Sequence, residues 1–453
     1  MYMLPIGGAN EIGANSYYLN IAGTGIILDC GMHPQKTGLA ALPQFDLLNN
    51  LPVDYVLITH AHQDHLSALP YLVQRHPYIK IITTPQTRAL AELTLHNSVS
   101  ILRGQIENDE IKIYSHEEVD LLIQSIDYKE YEKTFEITGY SSQSTETVKV
   151  TFFDAGHILG SASIFIEHDG KSIYYTGDIN NENQMLQPQC TMPKVKSDIL
   201  IIETTYGSTD SQKLLSWEKE SERMALSINK IFNNNGSVLI PVFALGKMQE
   251  ILATLWHLIE KCKLVQTDIY IGGVGEKINR VYDYNRYVVR RTDKEFQLNS
   301  ILTKSFYEIK RTNDFFKHPC IVLAASGMVI AGTPSYKFAK QWLSQKNSAI
   351  FTVGYMEETT PGYILANAKR KDKIKLTPFM EPMDVKCSIK NFKFSAHAKR
   401  EGLLKIVQKI NPQKIILVHG DPDSIDWVGA AILKKDKSKI VYAAECGKKI
   451  SLI

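Results

Sequence analysis

Thr59-His60-Ala61-His62-Gln63-Asp64-His65 follows directly on the apolar run Val53-Asp54-Tyr55-Val56-Leu57-Ile58. The apolar run reads as a buried strand, so four metal-competent side chains stand at one strand-to-loop exit. Imidazole and carboxylate are the usual ligands of a catalytic zinc ion. His60 and His62 are two apart, and in an extended segment both face one side and can share a metal. Asp64 and His65 come as the chain turns and can serve a second metal beside the first. A solvated polar loop would seldom carry this density of ligands immediately after a core strand.

The same design recurs along the chain. Ile26-Ile27-Leu28-Asp29 ends an apolar run on a carboxylate, in an antiparallel pair with Ser16–Asn20. His157 follows Phe152-Phe153-Asp154, flanked by Gly156 and Gly160, which let the backbone approach closely. Asp178 ends Ile173-Tyr174-Tyr175-Thr176-Gly177, Glu203 ends Ile199-Leu200-Ile201-Ile202, and His419 ends Ile415-Ile416-Leu417-Val418. Asn391–Ala398 reads as a strand ending in His397. Each residue alone could be a capped turn or a packed core group. Together they describe an active-site rim at one sheet edge.

Composition bounds the rest. The chain has 453 residues, 44% hydrophobic and 22% charged, enough for two or three globular domains. Its net charge of +3 places any nucleic-acid binding on a local patch. Six scattered cysteines with no Cys-x-x-Cys pair argue against a zinc knuckle and a disulfide framework. The N-terminus lacks the marks of a signal peptide, and no apolar stretch reaches spanning length, so no membrane and a cytoplasmic enzyme are expected. From about residue 206 strands alternate with helices, which indicates an α/β domain with a parallel sheet. Its small-residue loops Pro241–Gly246 and Ser326–Gly332 can offer backbone N–H groups to phosphate. Lys369–Lys373 is a basic run, read as a solvated loop in preference to a backbone contact.

These residues in this order resemble the metallo-β-lactamase superfamily, and more closely its β-CASP branch of RNA-processing nucleases. Asp29, His60-x-His62-x-Asp64-His65, His157 and Asp178 match the superfamily motifs, and Glu203, His397 and His419 match the three motifs of the β-CASP branch. The resemblance implies an αββα sandwich carrying an inserted α/β domain: residues 1–205 and 381–453 form the metallo-β-lactamase domain and 206–380 the β-CASP domain. It implies two zinc ions, one on His60, His62 and His157, the other on Asp64, His65 and His419, with Asp178 between them. The implied reaction is hydrolysis of single-stranded RNA, endonucleolytic or 5′–3′ exonucleolytic, by a two-metal hydroxide mechanism. His397 paired with Glu203 is the expected general acid, Asp29 orients a metal-bound histidine, and His397, Glu203, Asp64 and Asp29 form the catalytic set. Ser326, Gly327 and Lys247 are expected to hold substrate phosphates in a cleft between the domains. Family members are often homodimers, which makes a homodimer an expectation here. Segment 97–150 stands where the family varies. A small-molecule metallo-hydrolase would share the first motifs, but leaves about 175 inserted residues and the His397–Glu203 pair unexplained. A silent scaffold would be expected to lack ligands, and a DNA-directed nuclease is disfavoured by His419.

Overall fold

The computed structural model describes residues 1–105, 113–142, 144–194 and 196–453. Of segment 97–150, residues 106–112 and 143 lie outside the described residues. The chain forms two compact units. The first contains Met1–Glu182, Gln189–Ser211 and His397–Ile453; the second contains Asn183–Pro188 and Gln212–Ala396.

In the first unit two seven-stranded mixed sheets pack face to face. One runs Ile450–Ser451, Tyr2–Gly7, Ser16–Ile21, Thr24–Leu28, Tyr55–Leu57, Lys80–Thr83, Ile126–Tyr128. The other runs Ile440–Ala443, Lys414–Val418, Ile199–Glu203, Lys171–Tyr175, Ala162–His168, Thr147–Asp154, Phe135–Thr138. Alternation along the strands fills the space between them: Tyr17, Leu19, Ile26 and Leu28 from one sheet meet Val150, Phe152, Ile164, Ile173, Ile201 and Val418 from the other in a single buried core. The opposite residues of the second sheet, Tyr174, Leu200, Ile202, Ile415 and Leu417, pack on Leu403, Ile406 and Ile410 of helix Arg400–Ile410 and on Ile425, Val428 and Ile432 of helix Pro422–Lys435. Strands buried on both faces explain why these segments read as continuous apolar runs.

The second unit is built on a six-stranded sheet in the order Thr303–Ser305, Asp268–Ile271, Cys320–Ala324, Val238–Pro241, Ala349–Val353, Ser388–Phe392. Every pairing in it is parallel, as the alternation of strands and helices predicts. Two details differ from the sequence reading. Segment 381–396 groups with this unit, because Ser388–Phe392 extends its sheet in register with Ala349–Val353. The strand also stops at Phe392, and His397 lies in a bend five residues after the ladder ends.

Candidate metal centre

Six strands of the first unit deliver their following residues to one place. Asp29 follows Thr24–Leu28, His60 and His62 follow Tyr55–Leu57, and His157 follows Thr147–Asp154. Asp178 follows Lys171–Tyr175, Glu203 ends Ile199–Glu203, and His419 follows Lys414–Val418. Asp64 and His65 sit on the short helix Gln63–Leu66. The exits are tight. Asp29 and His419 adopt left-handed backbone at φ 60° and 47°, an arrangement that non-glycine residues rarely keep unless their surroundings demand it. Gly31 runs against the Asp64–His65 backbone, where a Cβ would lie 1.7 Å from the Asp64 carbonyl oxygen. Only glycine allows that approach.

Two groups of donors converge. His62 Nδ1 lies 3.1 Å from both His60 Nε2 and His157 Nε2. Asp178 Oδ2 lies 3.6 Å from the same two nitrogens. On the other side, Asp64 Oδ2 is 3.6 Å from His65 Nε2 and 3.3 Å from His419 Nε2. Asp178 Oδ1 is 3.3 Å from His65 Nε2 and 3.2 Å from His419 Nδ1. Donors around a tetrahedral zinc ion at about 2.0–2.1 Å stand about 3.3 Å apart, so both groups have the right spacing. Asp178 Oδ1 is buried and accepts no hydrogen bond, although two imidazoles stand beside it. A buried carboxylate oxygen left in that state is suited to a cation. The residues present therefore fit a metal ion on His60, His62, His157 and Asp178, and Asp64, His65 and His419 form a second donor group towards which Asp178 Oδ1 turns.

The donor atoms are held from behind. Asp29, fully buried, is 2.9 Å from His65 Nδ1 and accepts hydrogen bonds from the Thr59 amide (2.7 Å) and the Tyr175 hydroxyl (2.7 Å). Thr59 Oγ1 is 3.0 Å from His60 Nδ1, and Thr205 Oγ1 is 3.2 Å from His419 Nδ1. Asn15 Nδ2 donates to the Asp64 carbonyl at 3.1 Å. Such partners fix ring orientation and tautomer in metal sites. Thr59, Tyr175, Thr205 and Asn15 were not singled out in the sequence, although three of them lie within three residues of a ligand or of Glu203.

Electrostatics divide the cluster. Burial, with His65 nearby, pushes the His60 imidazole well below its ordinary pKa. Burial also opposes the charge on His65, but Asp178, Asp64 and Asp29 outweigh it and hold that ring well above the ordinary value. Burial likewise opposes the charges on Asp64 and Asp178. His65 and His419 overcome it at Asp64, and His419, His65 and His397 at Asp178, so both stay below the usual carboxylate range.

His397 stands at the edge of this cluster. Its Nδ1 is 3.0 and 3.1 Å from the two Glu203 oxygens and 3.9 Å from Asp178 Oδ2. Its ring lies 4.5 Å from that of His157 between centroids. Glu203 is fixed in turn by the Ile179 amide at 2.8 Å. The expected phosphate contacts belong to the second unit. Ser326 Oγ accepts from the Ile330 amide at 3.1 Å, and a Cβ on Gly327 would meet the Phe243 ring. Lys247 is buried, donates to the Phe394 carbonyl at 2.6 Å, and lies over the Trp217 ring at 5.2 Å. None of the described helices is long and apolar enough to cross a membrane.

Known proteins resemble the chain throughout. Residues 9–187 match the metallo-beta-lactamase superfamily, 248–365 the Beta-Casp domain, and 382–443 the Zn-dependent metallo-hydrolase RNA specificity domain. An RNase J-like protein of Methanocaldococcus jannaschii is 33% identical over 92% of this chain and 91% of its own length. Cleavage and polyadenylation specificity factor subunit 3 of Dictyostelium discoideum is 30% identical over 99% of this chain. Endoribonuclease YSH1 of Saccharomyces cerevisiae is 28% identical over 94% of it. The chain spans a little over half the length of these two eukaryotic relatives, 57% and 55%. A crystal structure of a protein of unknown function from Enterococcus faecalis V583 covers 99% of both chains at a TM-score of 0.57 and 12% identity, a likeness of fold alone.

Proposed function

The chain belongs to the β-CASP branch of the metallo-β-lactamase superfamily, and from that premise we propose that it is a two-zinc nuclease hydrolysing phosphodiester bonds of single-stranded RNA. The observation that carries this reading is the pair of adjacent donor groups, His60–His62–His157–Asp178 and Asp64–His65–His419, with the His397–Glu203 pair beside them. Relatives named as an endoribonuclease and as RNase J-like point to RNA as the substrate class.

His60, His62 and His157 with Asp178 would hold one ion, and Asp64, His65 and His419 with Asp178 the other. Zinc bound there supplies Lewis acidity and an activated water for attack on phosphorus. The chain's own groups do the remainder. Asp29 accepts a hydrogen bond from His65 Nδ1–H, which keeps Nε2 as the ligand atom. Glu203 accepts a hydrogen bond from His397 Nδ1–H and orients the ring, so that its Nε2 proton is the one available to the leaving 3′-oxygen. Products would carry 5′-phosphate and 3′-hydroxyl ends.

The test compares 5′-labelled single-stranded RNA and DNA of one sequence, with and without added zinc, for the natural protein and His397→Ala. Internal RNA fragments that fall by about 10²–10⁴-fold in the variant, at unchanged metal content, are the expected result. Release of mononucleotide alone would assign the 5′–3′ exonuclease mode. No cleavage of either strand by zinc-loaded protein would overturn the proposal.

A further inference from the structure

Away from the buried cluster, three polar side chains meet on outer helices of the first unit. His96 lies on helix Pro85–Gln105; His116 and Asp120 lie one turn apart on helix His116–Ser125. His96 Nδ1 is 2.8 Å from His116 Nδ1, and His96 Nε2 is 3.1 Å from Asp120 Oδ1. The side chains of His96 and Asp120 are 29% and 58% exposed, so solvent and solutes reach them.

Asp120 as a carboxylate only accepts, which assigns the His96 proton to Nε2 and leaves a lone pair on Nδ1. A carboxylate behind one ring nitrogen, with the other nitrogen presented outward, is the arrangement that prepares a histidine for a metal. His116 Nδ1 comes to meet that lone pair from the neighbouring helix. Two nitrogens bonded to an ion at about 2.0 Å lie about 2.8 Å apart at a right angle and about 3.3 Å apart at the tetrahedral angle. The observed 2.8 Å, a hydrogen-bond distance, already brings the two nitrogens within the span of one ion.

We propose that His96 and His116 form a second, surface metal site for a divalent transition-metal ion that favours imidazole ligands, of the nickel(II) or copper(II) kind. Asp120 positions His96, and water completes the coordination. The proton now between the two Nδ1 atoms moves to His116 Nε2, so a neutral pair releases no net proton. Both rings turn slightly to face a common point, a motion within a side-chain rotamer well. Once bound, the ion ties the two helices that flank residues 106–112. This site is independent of the nuclease reading, since none of its residues touches the buried cluster.

Untagged protein whose buried cluster is loaded with zinc is titrated with Ni2+ by calorimetry near neutral pH, and released zinc is measured. One Ni2+ bound without zinc release is expected. His96→Ala and His116→Ala each weaken it at least tenfold, and Asp120→Asn weakens it by less. His116→Gln retains a side chain that can hydrogen-bond His96 yet loses the ion, which separates ligation from helix stapling. Equal Ni2+ binding by His116→Gln and the natural protein, uptake matched by zinc release, or no uptake would each overturn the site.

Discussion

Two clusters of ionisable groups in this molecule are withdrawn from water and reach opposite states. In the first unit Asp64 and Asp178 stay ionised, because His65 and His419 stand within ion-pairing distance of each. In the second unit Lys247 and Glu250 lie on one helix, and each turns to the backbone. Lys247 donates to the Phe394 carbonyl, and Glu250 accepts from the Leu186 and Gln187 amides at 2.8 and 3.0 Å. Burial then prevails: the Lys247 ammonium falls to about 8 and the Glu250 carboxyl rises to about 7. Carboxylates set beside imidazoles stay ionised; buried charges bonded to amides and carbonyls drift towards neutrality and act as staples.

The comparison can be broken at several points. The largest effect is expected where the first cluster loses the carboxylate its two halves share. Asp178→Ala should lower RNA cleavage by at least about 10³-fold, because the metals' charge stabilisation is worth several kcal/mol. Metal analysis and single-turnover cleavage check it, and full metal content with near-normal rate would refute the shared role. Next, Asp29→Ala should weaken metal binding about 10–100-fold by releasing the His65 ring, read by competition with a chelator of known affinity. Tyr175→Phe deletes one hydrogen bond to a buried carboxylate and should cost about 1.5–3 kcal/mol of stability, measured by urea unfolding.

The smallest effect concerns the second unit. The Glu250 pKa is raised from the ordinary 4.5, so the folded state holds that proton more tightly. The stabilisation is full below 4.5 and is lost as pH rises through about 7. The Lys247 pKa is lowered from 10.5, so its contribution is full above that value and is lost as pH falls through about 8. Together they place a stability minimum between about 7 and 8. Trp217, Trp256 and Trp342 all lie in this unit and report it by fluorescence. Glu250→Gln should remove the acid-side slope alone, and an unchanged profile would show that the carboxyl titrates normally.

The strand-end ligands were legible because histidine and aspartate are conspicuous after apolar runs, and each strand places the next residue at the same sheet edge. Tyr175 was not, since a tyrosine within Ile173-Tyr174-Tyr175 reads as core. Its hydroxyl matters only because the opposing sheet brings Asp29 within 2.7 Å. Thr59 and Thr205 are silent for the same reason, their partners being distant or adjacent side chains of no fixed pattern. The return to the first unit was expected near 381, because an apolar strand carries no mark of which sheet it will join. His96 and His116 are 20 residues apart on separate helices, so no local spacing announces them.

The contact between Asp64 and His419 spans 355 residues of chain. At about 5–20 residues per second, a ribosome needs roughly 20–70 s to make the second residue after the first. For that interval the half-made protein holds His60, His62, Asp64 and His65 without the strand that supplies His419, and its second group of donors is incomplete. The second donor group is thus the last part of the cluster to be made. That group closes only when the strand Lys414–Val418 joins its sheet and brings His419 to Asp64.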